Sequence, residues 1–300
     1  MQILIAANDK KSGTELSDIM QEWGYEVIEA SNGQEVLSVL TGEAAPKMIL
    51  LEWEIPEMSG LELVKKISKI STEIPFYIIM LTAKGEKSDI IEGLNEGASD
   101  YLVIPFDMGE LRARINVGRR MIELHDELIH SRKKLEYQVA HDALTGLYSR
   151  SFILEYLNKE LARAERIAEG ITVAICDIDY FKKVNDEYGH PIGDIVLKEF
   201  AHILTENIRE YDIIGRLGGE EFLLITTTKQ EDEENSIFER IREKVENSVI
   251  KTEAGEISIT ISIGAASYIN GKSGENLIYE ADKALYTAKE EGRNRVKWRK

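Results

Sequence analysis

The chain has 300 residues, 43% of them apolar, with 37 basic against 54 acidic side chains for a net charge of −17. That length suits two domains. The charge argues against a general nucleic-acid-coating surface, because phosphate backbones are bound by clustered cations. The single cysteine, Cys176, excludes an intramolecular disulfide and suits a reducing compartment. Its apolar run, Ile171 to Cys176, marks it as a packed core thiol. Met1 to Ala6 is too short for a signal peptide and lacks a basic flank. No run reaches the ~18 apolar residues of a membrane span. The expectation is a soluble, cytoplasmic protein with neither membrane nor nucleic acid as partner.

From the N-terminus, short apolar strands alternate with helical patterns. They are Ile3–Ala6, a helix near Thr14–Trp23, Tyr25–Glu29, a helix near Gly33–Leu40, Met48–Leu51, a helix near Gly60–Ser68, Phe76–Leu81, a helix near Lys87–Gly93, and Asp100–Ile104. This alternation predicts an α/β domain over residues 1–118, with a doubly wound, parallel five-stranded sheet of flavodoxin-like type. Ligands of such sheets bind beyond the strand C-terminal ends, where Ala7-Asn8-Asp9, Glu52, Thr82 and Ile104-Pro105 fall. Residues 108–140 read as one proline-free helix continuous with the end of that domain. Val117, Met121, Leu124, Leu128 and Leu135 follow 4-3 spacing, with Ser131 and Gln138 in register and Ile122 and Ile129 widening the stripe. An apolar seam with charged flanks predicts a two-stranded coiled-coil linker.

Residues 141–300 form the second domain. Ile171–Ile178 reads as a buried strand ending in Asp177-Ile178-Asp179, followed by a helical stretch over Tyr180–His190. Gly193-Asp194 opens an amphipathic helix over Ile195–Asn207. Gly218-Gly219-Glu220-Glu221 lies between the runs Asp212–Ile214 and Phe222–Ile225, a hairpin signal because glycine accepts positive φ. An acidic helix over Glu233–Val249, an alternating strand over Ile257–Ala265 and a helix over Asn276–Glu291 complete the chain, with Glu231 to Glu234 as a solvated helix start. This order predicts a ferredoxin-like, palm-type domain, in which the end of the first strand lies beside the hairpin. Asp177 and Glu220 then converge despite their separation in sequence. Two acids on a glycine turn suit a metal carrying a phosphate-rich ligand; a solvated acidic turn is the plain alternative.

Leu50 to Gly60, Met80 to Ala83 and Asp100 to Phe106 resemble the receiver domain of response regulators. The resemblance implies switch positions at Glu52, Thr82 and Tyr101 and an upstream signalling partner. The departures matter more. The acidic pair that holds Mg²⁺ in receivers reads Ala7-Asn8, with Asp9 one step late. The phosphoacceptor aspartate is Glu52, and the lysine that meets the phosphoryl group is Ile104. A divalent ion thereby loses most of its anionic ligands, and a phosphoryl group loses its counter-cation. The expectation is a pseudo-receiver, in which Glu52 either places a carboxylate where the phosphoryl would sit or belongs to a purely dimerising domain.

Asp142 to Arg150, Asp177 to Lys182, Asn185, Tyr188 to His190, Gly193-Asp194, Arg216 to Phe222 and Ala288 to Asn294 resemble, in order and spacing, the GGDEF family of diguanylate cyclases in its Gly-Gly-Glu-Glu-Phe form. Ser149 stands where that family usually has asparagine. The resemblance implies condensation of two GTP into cyclic di-GMP with release of pyrophosphate, by attack of each ribose 3′-hydroxyl on an α-phosphate. It implies that Asp177, Glu220 and the Ile178 carbonyl ligate Mg²⁺ or Mn²⁺. Glu220 or Glu221 helps take the hydroxyl proton. Backbone N–H groups near Phe181 and Lys182, with Lys289 and Arg293 one turn apart on a helix, meet the β- and γ-phosphates beside Gly218 and Gly219. Asn185 and Asp194 read guanine. His190 matches a family position, as a site residue or a structural histidine, and Asp179 is a supporting carboxylate or a helix cap. One GTP per domain makes a homodimer part of the mechanism. Arg209 and Asp212 match the family's inhibitory product site; a local helix-end ion pair is the alternative. A catalytically silent cyclic di-GMP receptor and a dimerising scaffold are the competing functions.

Overall fold

A computed structural model of the chain describes all residues except 43, 84–86, 168–169, 228–230, 269–272 and 300, and leaves out the side chains of residues 10, 167 and 231–236. The expectation for Glu231 to Glu234 lies outside the described side chains. Among the described residues no helix is long and apolar enough to cross a membrane. The chain divides into two compact units, Met1–Lys133 and Lys134–Lys300.

The first unit runs β1 (Gln2–Ala6), α1 (Lys10–Glu22), β2 (Glu26–Ala30), α2 (Gly33–Leu40), β3 (Met48–Glu52), a short hairpin of β4 (Glu54–Ile55) and β5 (Met58–Ser59), α3 (Gly60–Ile67), β6 (Tyr77–Thr82), α4 (Lys87–Asn95), β7 (Asp100–Val103) and α5 (Met108–Ala140). The sheet is parallel throughout, in the order β2-β1-β3-β6-β7. Strand order reverses between β1 and β3, so the crevice of this doubly wound sheet opens beyond Ala6 and Leu51, which are paired. Helix starts follow side-chain caps: Asp9, Asn32 and Ser59 each accept backbone N–H groups of the first turn. The Asp9 cap starts α1 at Lys10 rather than near Thr14.

α5 has the expected bounds and 33 residues. Its N-terminal part is packed through Leu111 and Ile115, and Gly118 lies against Tyr77 and Met48. On the seam itself, Val117, Met121, Leu124, Leu128 and Leu135 are 41–67% exposed. The seam read from the sequence is therefore left uncovered by its own chain.

The second unit runs α6 (Arg150–Ile167), β8 (Ile171–Ile178), α7 (Phe181–Tyr188), α8 (His190–Glu206), β9 (Ile213–Gly218), β10 (Glu221–Thr227), α9 (Glu231–Glu246), a hairpin of β11 (Ile250–Thr252) and β12 (Gly255–Ile257), β13 (Ile261–Ser267), α10 (Gly274–Glu290) and β14 (Val296–Arg299). Its sheet is ordered β14-β13-β8-β10-β9, with β8 antiparallel to both neighbours. All eight residues of β8 are buried. One face packs on α8 and α9, with Phe200 edge-on to Phe222 at 4.9 Å; the other packs on α6 and α10 through Ile153, Leu157, Leu277 and Leu285. Cys176 is fully buried and its thiol is pushed up by that burial, so it stays a neutral packing residue.

Two expected elements are corrected. α8 begins at His190, three residues before Gly193-Asp194, because Gly189 at φ 84° separates α7 from α8 and Pro191 fits a helix start. The expected strand Ile257–Ala265 is two strands: Ile257 ends a separate hairpin, and β13 begins at Ile261 after Thr260 is drawn to Asp179. α6, β14 and both short hairpins were not expected.

Gly264 on β13 lies directly under α10. A Cβ there would run into the backbone of Leu285 and Ala281, which fixes how closely α10 approaches the sheet. Gly264→Ala is expected to cost about 3 kcal/mol by overpacking against backbone that cannot rotate away, read as a lower urea midpoint for unfolding of the C-terminal unit.

Candidate functional site

The site is built at the C-terminal end of β8. Register places Glu221 opposite Asp177 on one side and Ser262 opposite it on the other. The Ile178 N–H lies 3.4 Å from the Glu220 carbonyl. The hairpin turns over Gly219-Glu220, with Gly218 at φ 148° and Gly219 at φ 55°, and a bulge between Glu221 and Phe222 shifts the register. Gly219 thus occupies left-handed backbone that favours glycine, and the bulge re-aims the hairpin tip. Asp177 is buried, while Glu220 and Glu221 are half-buried. Lys289, in the last turn of α10, places Nζ 2.7 Å from Asp177 Oδ2. Burial pushes the Asp177 carboxyl up to about 6; Lys289 opposes this shift, and Glu220 and Glu221 add to it.

Asp179 is 5% exposed and accepts from Thr260 Oγ1 (2.7 Å), Ser262 Oγ (2.7 Å) and the Asn294 N–H (3.0 Å). It is not the helix cap: Tyr180, in left-handed backbone at φ 57°, precedes α7, which starts at Phe181 without a side-chain cap. The first-turn N–H groups near Phe181 and Lys182 therefore present a helix N-terminus beside the site. Lys289 and Arg293 are not one turn apart on a helix. α10 ends at Glu290, and Gly292, Arg293 and Asn294 all take positive φ, held there by the Asp179–Asn294 bond. Arg293 reaches the Tyr180 hydroxyl (3.3 Å) and the Lys289 carbonyl (3.4 Å), with its guanidinium 4.5 Å from the Tyr180 ring centroid.

Asn185 on α7 packs against Gly193 on α8, where any Cβ would collide with its amide oxygen. Asp194 follows, exposed just past the first turn of α8, and His190 is exposed at its start. Farther along, Asp212 is 5% exposed; one carboxylate oxygen accepts the Arg209 N–H (3.0 Å) and the other is buried without a hydrogen-bond partner. Burial raises its carboxyl, against Arg209. Both residues line a cleft of about 330 Å³ with His141, Tyr148 and Thr205.

Nothing in the sequence marks Asp142 and Arg216 as partners. Arg216 donates from Nε and Nη2 to the Gly219 carbonyl (2.9 and 2.7 Å) and from Nη1 to Asp142 Oδ1 (3.0 Å). Burial works against the Asp142 charge, but bonds from Thr145 and Arg216 hold its carboxyl below the ordinary range. Tyr137, His141, Tyr148 and Phe152 stack ring to ring at 3.9, 4.8 and 4.4 Å just before and after it.

In the first unit, Glu52 is half-buried at the end of β3 and accepts the Asn8 N–H at 2.7 Å. Burial raises its carboxyl, the Asn8 bond opposes this, and Asp9 adds to it. Asp9 is engaged as the α1 cap, bonded to the Lys11 and Ser12 N–H groups and the Ser12 hydroxyl. Thr82 is buried, Tyr101 is half-buried under the Arg114 guanidinium, and Ile104 is 39% exposed.

A family model described as diguanylate cyclase, GGDEF domain, matches residues 139–295, and one described as response regulator receiver domain matches residues 3–116. The chain is 38% identical over 182 residues to diguanylate cyclase DosC of Escherichia coli K12, covering 60% of this chain and 39% of that protein. It is 36% identical over 226 residues to response regulator PleD of Caulobacter vibrioides, covering 73% and 49%. The chain thus spans about half or less of the length of these curated relatives. Among solved structures it resembles the coiled coil and GGDEF domain of DgcB from Caulobacter crescentus in complex with c-di-GMP, at 30% identity and TM-score 0.58, covering 63% of this chain and 99% of that one. It also resembles diguanylate cyclase SiaD of Pseudomonas aeruginosa in complex with its activator SiaC, at 33% identity and TM-score 0.53, covering 64% and 74%.

The Asp177 carboxyl sits near 6 in the folded chain against an ordinary 3.8. Between those values the folded chain holds a proton that the unfolded chain has released, so the Asp177 contribution to stability falls as pH rises through that window. Asp177→Asn should therefore gain on the parent by on the order of 2 kcal/mol between about pH 4 and pH 7 without divalent ions. Thermal unfolding across that range checks it, and a difference that does not change with pH contradicts it.

Proposed function

The chain belongs to the GGDEF family of diguanylate cyclases, with a response-regulator receiver domain ahead of the GGDEF domain, and on that premise we propose that it condenses two GTP molecules into cyclic di-GMP and releases two pyrophosphates. The observation that carries this reading is the register of β8 with β10, which gathers Asp177, Glu220 and Glu221 at one strand end beside Lys289. Among the described residues no three acidic, histidine or cysteine side chains form a closed metal cage. Two carboxylates and a carbonyl instead suit a hard ion that completes its shell from nucleotide phosphates. Asp177, Glu220 and the Ile178 carbonyl would hold Mg²⁺ or Mn²⁺, which when bound neutralises the triphosphate and acidifies the attacking hydroxyl.

The remaining roles fall to the chain's own groups. The uncapped start of α7 at Phe181 and Lys182 receives β- and γ-phosphates, with Lys289 and Arg293 as cations. Asn185 and Asp194 read guanine, whose N1–H and N2–H donors suit a carboxylate, with His190 at the start of the same helix. Gly218 and Gly219 let the nucleotide approach the backbone. Glu220 or Glu221 takes the 3′-hydroxyl proton.

One GTP per C-terminal unit requires two chains face to face, and the uncovered seam of α5 supplies a pairing surface for a homodimer. Residues 1–118 act as a degenerate receiver, 108–140 as a coiled-coil linker and 141–300 as the cyclase. An upstream protein signals through the first of these in the cytoplasm, where GTP is available. Lacking the acidic pair and lysine, the receiver does not work by phosphotransfer to aspartate; the Glu52 carboxylate, bonded to the Asn8 N–H, stands at the switch position beside Thr82 and Tyr101. Cyclic di-GMP feeds back at Arg209 and Asp212.

Incubation of the purified chain with GTP and Mg²⁺ should yield cyclic di-GMP, while ATP gives no cyclic product. Glu220→Gln should lower turnover by about a thousandfold or more; absence of product from the parent chain overturns the enzyme reading. Arg209→Ala should leave the initial rate within about twofold and raise the product concentration needed for inhibition by about tenfold, on the order of 1.4 kcal/mol. Unchanged inhibition removes Arg209 from the product site.

A further inference from the structure

Lys289 does not stand where a phosphate ligand waits. Its ammonium is bound to Asp177 at 2.7 Å, with the Asp177 side chain 8% exposed and Lys289 31% exposed. We infer that Lys289 is a tethered counter-cation that neutralises Asp177 until a divalent ion replaces it, and that its release hands a positive charge to the triphosphate, so that metal and nucleotide bind with positive coupling. This rests on the nucleotide-condensing reading above.

The backbone at both ends of this pair is fixed. Asp177 belongs to the central strand, and the α10 turn carrying Lys289 is anchored by buried Ala288 and by the close approach of Gly264 to Leu285. Only the flexible side chain of Lys289 is free to move. An ammonium and a divalent ion on the same carboxylate repel at contact distance, so the ion displaces the weaker of the two cations. The displaced ammonium does not leave the neighbourhood. The Lys289 carbonyl accepts from Arg293, whose guanidinium is steered by Tyr180 next to the uncapped start of α7. A released Lys289 joins that cation and those N–H groups, and together they form an anion site. Each ligand thus prepares the other's site, which is the definition of positive coupling.

Mn²⁺ binding read from the free-ion electron paramagnetic resonance signal tests this without turnover. Without nucleotide, Lys289→Met and Lys289→Gln should each bind Mn²⁺ about tenfold more tightly than the parent, because no tethered cation competes. A non-hydrolysable GTP analogue should tighten Mn²⁺ binding in the parent, and that gain should shrink at least about fivefold in both variants. Arg293→Gln removes the same charge without touching Asp177 and should stay within about twofold of the parent for Mn²⁺ alone. Unchanged Mn²⁺ affinity in both Lys289 variants, or an equal gain in Arg293→Gln, overturns the inference. Asp177→Asn separates the two levels: if it binds Mn²⁺ as the parent does, the metal-site reading itself fails.

Discussion

The arrangement of the C-terminal unit depends on one buried carboxylate that does no chemistry. Asp179 draws in the hydroxyls of Thr260 and Ser262 and the N–H of Asn294. Those three bonds fix where β13 begins, hold the left-handed turn after α10, and leave Tyr180 to swing the chain into α7. A buried carboxylate without donors costs several kcal/mol, about 3 or more, so the three segments must meet at it. Asp177, two residues earlier, is thereby held at the strand end while the cations of Lys289 and Arg293 are brought to the same place. Strain at Arg293 and Asn294, both left-handed and neither glycine, is tolerated because the surrounding bonds over-determine it.

A second constraint runs through Asp142. The turn that ends α5 passes Asp142, which Arg216 ties to the Gly219 carbonyl. Tyr148 donates its N–H to Ile214 and accepts from Arg216, so the segment behaves as an added strand at the β9 edge. The end of the helix and the tip of the acidic hairpin therefore share one guanidinium, 13% exposed and planar, with little slack. A rotation of the helix end is felt at the hairpin as a change in hydrogen-bond geometry.

Much of the fold was legible because its signals are local. The alternation of apolar runs gave every strand of the first sheet to within a residue or two, and the proline-free heptad run gave the bounds of α5. The acidic hairpin was legible because Gly-Gly between two strands has few other readings. What was not legible is non-local. Asp179 reads in sequence like a cap, since Asp before a helix usually is one; only the fold brings Thr260 and Ser262 to it from more than eighty positions away. The same holds for Lys289, whose spacing from Arg293 suggested a shared helical face until Gly292 ended the helix. α6 did carry a readable pattern in Ile153, Leu157, Leu161 and Ala164. β14 carried only a four-residue alternation, Val296-Lys297-Trp298-Arg299, too short to mark a strand without its pairing to β13.

The bare seam of α5 has a consequence at the level of the cell. If output requires two chains, as proposed, then below the dissociation constant the number of working pairs grows as the square of the amount of protein, and doubling expression gives roughly fourfold more of them. The gene's own expression level then acts as an input beside any upstream signal, and dilution by cell growth once synthesis stops becomes a means of switching off.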